Sequence, residues 1–128
     1  MPKPGEPTVI RRLFRKLCAA PATPFPEPRG HIQAPFEHGV YVIYSPRSSE
    51  VLHVGRTYRG KGGLHQRLKN HLHGLSSFTH THLDGRGTKL RNGYKFRCLP
   101  VKRPRQRALF EFYATGRLCP AHLGTSSD

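Results

Sequence analysis

Acidic residues are what this chain has least of. Seven Asp and Glu stand against 22 Lys and Arg in 128 residues, a formal charge of +15 at pH 7. From Val51 to Ser127 only Asp84 and Glu111 carry carboxylates. No acidic cluster can hold a metal ion unaided, which argues against two-metal schemes built on several carboxylates. One carboxylate holding a single hydrated Mg²⁺ or Mn²⁺, with phosphate oxygens completing the shell, stays open. Cysteine is also scarce: Cys18, Cys98 and Cys119 are odd in number and far apart. A disulfide framework is therefore not expected, and a reduced, intracellular setting (cytoplasmic or nucleoid-associated) is. No run approaches the length of a membrane span and no signal-peptide core is visible, so no membrane partner is expected.

What is abundant is positive charge. Such a field concentrates polyanions, nucleic acid foremost. An anionic membrane surface or a ribosome would feel the same attraction, so charge alone fixes only the sign of the partner.

The length suits one compact domain plus an arm. Residues 8–20 space Val9, Ile10, Leu13, Phe14 and Leu17 as an amphipathic helix with Arg11, Arg12, Arg15 and Lys16 between them. That helix either packs on the domain with a solvated basic face or serves as a nucleic-acid-contacting arm or targeting peptide. Residues 21–36 hold five prolines and read as a stiff linker, giving units of 1–35, 36–124 and a tail of 125–128. Strands are predicted over 39–45 and 50–55, joined by the turn residues Pro46–Glu50 into a hairpin, with a third over Tyr94–Val101. Helices are predicted over 62–74, with Leu64, Leu68 and Leu72 facing the core, near 76–83, and over 105–117 after Pro104.

Two chemical signals weaken on inspection. The stretch Gly55–Gly62 nearly spells a phosphate-binding P-loop, but Gly62 stands where a metal-binding Ser or Thr is required. The stretch reads instead as a flexible basic lip. The nine histidines, His65, His71, His73, His80 and His82 among them, suggest zinc only faintly, because no pair of cysteines stands at ligand spacing. Arg67 and His71, four apart, share a helical face next to the leucine stripe. Glu111 lies within the apolar run ALFEFYA and so is either on an exposed stripe or held inward by a partner. Taken singly, each of these is more often a solvated helix charge than a catalyst.

Their order along the chain carries more. Gly39-Val40-Tyr41, His53-Val54-Gly55, Arg56, Arg67, His71 and Glu111 follow one another as the GIY and YIG triplets, helical Arg, His and final Glu of the GIY-YIG nuclease family do. The chain resembles that family over roughly residues 38–120. His53 stands where the second triplet has its first Tyr, and Cys119–Gly124 has no Asn where the family commonly carries one. The resemblance implies an α/β (α+β) fold, a small three-stranded antiparallel sheet flanked by helices. It also implies a Mg²⁺- or Mn²⁺-dependent endonuclease acting on DNA: Glu111 as metal ligand, Arg67 on the phosphate oxygens, and Tyr41 to orient or deprotonate the attacking water. His53 and His71 are alternative bases by their intrinsic pKa. A phenol titrating near ~10 needs cationic neighbours to act as a base, and Arg56, Arg67 and the lip are candidates to supply them. Arg56, Arg59, Lys61 and Lys69 are candidate phosphate contacts, and specificity is expected from recognition of DNA structure or from a partner protein. Two rival readings are a nucleic-acid-binding module with a degenerate site and a basic structural protein of a ribonucleoprotein.

Overall fold

GVYVIY offers an apolar body at every position, the pattern of a strand covered on both faces. In the computed structural model it is the inner strand β2 (Gly39–Tyr44), buried at all six residues. The structure describes residues 4–47 and 49–124. Ser48 of the hairpin turn and the expected tail 125–128 lie outside the described residues.

β2 pairs antiparallel with β3 (Val51–Arg56) on one side and with β4 (Lys95–Pro100) on the other. A two-residue strand, β1 (Thr23–Pro24), adds to the far side of β4, so the order is β1-β4-β2-β3. The protein is thus α+β with a four-stranded antiparallel sheet, one strand more than the three predicted. A strand this short, holding proline, is tolerated at a sheet edge because its residues need not all donate to a ladder. The β2–β3 turn closes through Ser45 N–H, which donates to the Glu50 carbonyl at 2.9 Å.

Alternation along β2 sends its side chains into two cores. Tyr41 and Ile43 pack against Leu64, Leu68 and Leu72 of α2 (Gly63–Leu72) and Phe78 of α3 (Ser77–His82). Val40, Val42 and Tyr44 meet Ile10 and Leu17 of α1 (Glu6–Ala19) and Phe110 and Ala114 of α4 (Pro104–Leu118). Each predicted helix is present with its ends moved by at most two residues, and a 3₁₀ turn, Gly87–Arg91, follows α3.

Residues before Phe36 contribute to both cores. α1 packs its apolar stripe on α4 and leaves Arg11, Arg12, Arg15 and Lys16 exposed, while Glu6 takes Arg105 at 2.9 Å. The proline-rich stretch that reads as a linker is pinned in place. Phe25 and Ile32 are buried beside Phe96, and Arg91 donates to the carbonyls of Pro26 and Glu27 at 2.8 and 2.9 Å. Apolar residues spaced among prolines, invisible to helical or strand periodicity, do the anchoring. Among the described residues no helix is long and apolar enough to cross a membrane.

Candidate functional site

Both triplet glycines sit where a neighbour crosses the backbone. Residues opposite one another in an antiparallel pair share a face, and Gly55 of β3 lies opposite Tyr41 of β2. A Cβ at Gly55 would collide with the Tyr41 hydroxyl and stand 2.5 Å from Cζ, so the phenol crosses the strand at the one residue that leaves room. At Gly39 a Cβ would run into the Leu99 carbonyl and stand 2.9 Å from a Leu64 methyl.

Tyr41, fully buried, is the hub of a hydrogen-bond network. Arg67 Nε–H donates to its oxygen at 3.2 Å, and His71 Nε2 lies 2.7 Å away. On the far side of the His71 ring, Nδ1 is 2.7 Å from Ser76 Oγ. Because the phenol already accepts from Arg67, its own proton must go to an acceptor. His71 Nε2 is the near one, with His53 Nε2 at the 3.5 Å limit. This assigns the proton of His71 to Nδ1, from which it is donated to Ser76. Ser76 in turn caps α3 in a reciprocal capping box: its Oγ accepts from Thr79 N–H at 3.2 Å, and its own N–H donates to Thr79 Oγ1 at 3.4 Å. One chain of directed bonds thus runs from Arg67 through Tyr41 and His71 to the start of a helix.

Burial governs the ionisation of this network. Loss of solvent pushes the Tyr41 phenol up to about 12, more than the adjacent Arg67 pulls it down. Of the cations expected to make Tyr41 a base, Arg67 pulls on the phenol but is outweighed, so the phenol stays a donor. His53, 5% exposed, is pushed down to about 3 by burial, by His122 and by Arg67. His71 is lowered well below the usual imidazole range, again chiefly by burial. Neither histidine keeps the near-neutral pKa that makes an unperturbed imidazole a ready base. His53 instead stacks on Phe78, 5.2 Å between centroids, and packs beside His71 and His122.

Glu111 lies across the end of β3 from this network. Its Oε1 accepts from Arg56 Nη1 at 2.6 Å, both side chains being largely buried. Burial raises the Glu111 carboxyl above its ordinary range, by more than Arg56 and Arg67 pull it down. Glu111 opens on a recess of about 220 Å³ shared with Arg56, Tyr58, Phe112 and His122. A second recess, of about 490 Å³, is lined by Tyr58, Arg59, Lys61 and Arg67. Lys69 is exposed on α2 and, among the described residues, lines neither.

The basic lip is tied at its base. His38 Nε2–H donates to the Gly60 carbonyl at 2.9 Å, which leaves Nδ1 to accept from the Thr57 hydroxyl at 2.7 Å. Thr57 Oγ1 accepts from Gly39 N–H at 3.0 Å. His38 carried no signal beyond standing next to the first triplet. Ser76 and Thr79 were readable as a helix start but not as partners of His71. His122 is set beside His53 because the chain after α4 runs parallel to β3, His122 N–H donating to the Leu52 carbonyl at 2.8 Å.

For a metal ion the donor set is thin. Among the described residues no group of three or more His, Cys, Asp or Glu side chains could hold one. Glu111 suits a hard cation whose remaining ligands are water and phosphate oxygens, provided Arg56 gives up or shares the carboxylate. The chain matches no protein-family model, no curated protein and no solved structure.

Proposed function

We propose that this protein is a divalent-metal-dependent endonuclease that hydrolyses DNA phosphodiester bonds with a single metal ion, as its resemblance to the GIY-YIG nucleases implies. One arrangement supports the reading above all. Arg67, held from behind by Tyr41, fronts a basic recess next to the recess that contains the lone carboxylate Glu111.

The residues divide the work as follows. Arg59 and Lys61 draw the phosphate backbone into the basic recess. Arg67 bonds Tyr41 through Nε, so among the described residues its Nη groups are left to donate to the non-bridging oxygens as charge builds on them. Tyr41 and His71, being buried and neutral, act as positioning residues for Arg67. Arg56 holds Glu111 in place until substrate arrives. Glu111 would hold a Mg²⁺ or Mn²⁺, which would supply Lewis-acid polarisation of the phosphate and neutralise the leaving oxygen.

The test is nicking of supercoiled plasmid with Mg²⁺ and with EDTA. Activity is expected with metal only, absent in Glu111→Ala and reduced about 10²–10³-fold in Arg67→Ala, the range for removing one transition-state donor. Equal nicking by the wild type and Glu111→Ala would sink the proposal. A second reading, a nucleic-acid-binding module with a degenerate site, draws on the 2.6 Å Arg56–Glu111 pair, which leaves the sole carboxylate already neutralised. That reading expects tight, salt-sensitive binding and no nicking by any variant.

A further inference from the structure

Two of the most exposed large apolar side chains are aromatic and lie against the same guanidinium. Tyr58, just past β3, is 65% exposed, and Phe112, on α4, is 64% exposed. Arg56 Cζ stands 4.7 Å from the Tyr58 centroid and 5.2 Å from that of Phe112, while Arg56 itself is fixed by Glu111. A single exposed aromatic is ordinary on a protein surface. Two from separate elements, flanking one ion pair, form a built surface.

The backbone under Tyr58 is also anchored. Arg107, buried, donates to the Tyr58 carbonyl at 3.4 Å and to the Val101 carbonyl at 3.0 Å. The His38–Thr57 bond pins the preceding residue. Tyr58 forms the common wall of the basic recess and the Glu111 recess, and Phe112 lines the latter. Rings over a cation, most of their area open to solvent and phosphate-binding charge alongside, are the parts of a stacking platform for nucleobases.

We propose that Tyr58 and Phe112 stack unpaired bases on either side of the Arg56–Glu111 pair, so that the protein takes a strand splayed out of the duplex there. The inference rests on the nucleic-acid reading above and names the state of the strand. In a regular duplex each base face is covered by its neighbours, so two isolated rings gain nothing from it. An unpaired, bubbled or branched strand has faces to offer.

The test measures binding without metal, so that it stands apart from cleavage. The full chain in EDTA at fixed salt is titrated against a fluorescent single strand, the same sequence as a blunt duplex, and that duplex with a short internal bubble. The strand and the bubble are expected to bind more tightly than the duplex. Tyr58→Ala and Phe112→Ala each weaken strand and bubble binding about fivefold or more, the low end for one lost stack, with the duplex nearly unchanged. Tyr58→Phe keeps wild-type affinity. Circular dichroism confirms that each variant folds. Variants that bind the strand as well as the wild type does, or that lose strand and duplex alike, overturn the inference and leave the rings for some other partner. A wild type that prefers the strand but never nicks plasmid keeps this inference and removes the nuclease reading alone.

Discussion

The Tyr41 phenol lies across Gly55, in the space a side chain there would occupy, and from that position it reaches His71 Nε2 at 2.7 Å. The glycine of the second triplet and the tyrosine of the first are therefore one feature. Gly55→Ala is expected to cost about 1–3 kcal/mol, the range for overpacking a well-filled core, and to displace the phenol from His71. In urea unfolding, a cycle with Tyr41→Phe should show the two substitutions to be non-additive, since they disturb the same contact. Full additivity would mean that the ring does not depend on the glycine.

Ser76 should matter beyond its helix. Ser76→Ala removes both the N-cap of α3 and the acceptor for His71 Nδ1–H. A cap alone is worth about 0.5–2 kcal/mol and a buried unsatisfied donor about 1–3 kcal/mol more. The nitrogen shifts of His71 read the tautomer directly. The wild type should carry its proton on Nδ1, and a proton found on Nε2 would reverse the direction assigned to the network.

Acid should weaken the fold through the buried imidazoles. The His53 pKa is about 3 in the folded chain against an ordinary 6.5, so between those values the unfolded chain binds the additional proton. Its contribution to stability is complete above about pH 6.5 and falls towards pH 3, by up to about 1.4 kcal/mol per pH unit. His71, also lowered, acts in the same direction. Chemical unfolding of the wild type and His53→Gln across that window isolates the residue, and the variant should show the shallower decline. Parallel profiles would remove His53 from the account.

Salt dependence separates the recess from the rest of the basic surface. Arg59 and Lys61 line the 490 Å³ recess and Lys69 does not. Arg59→Ala and Lys61→Ala should each lower the slope of log affinity against log salt by about 0.7–0.9, one phosphate contact. Lys69→Ala should leave that slope as it is. Equal effects from all three would assign binding to diffuse charge.

Freeing the lip should weaken binding without unfolding the domain. His38→Ala deletes the two bonds that its ring makes to Thr57 and Gly60. Affinity for nucleic acid is expected to fall several-fold, the cost of ordering a loop that the wild type holds ready, while the melting temperature moves little. Unchanged affinity would show the latch to be idle.

The sheet and the helices are legible in the sequence because their signals are local. The apolar run of β2 and the leucines of α2 needed no knowledge of their neighbours. Legibility stops at β1, whose two residues have no periodicity, and at Phe25 and Ile32, which look like parts of a linker until Phe96 is seen beside them. Tyr41, His53, Arg67 and His71 were readable as candidates and do converge in space. Their ionisation was not readable, because it depends on how much water each loses and no residue type encodes that.

By itself the sequence determined the excess of positive charge, the scarcity of carboxylates and the order of the candidate residues, all of which survive any folding. Only the tertiary structure decided that Tyr41 is a buried donor rather than an available base. It alone paired Arg56 with Glu111, 55 residues apart, and brought Tyr58 and Phe112 to the same guanidinium. The reason is physical: protonation follows desolvation and pairing follows proximity, and both are set by what the fold brings together.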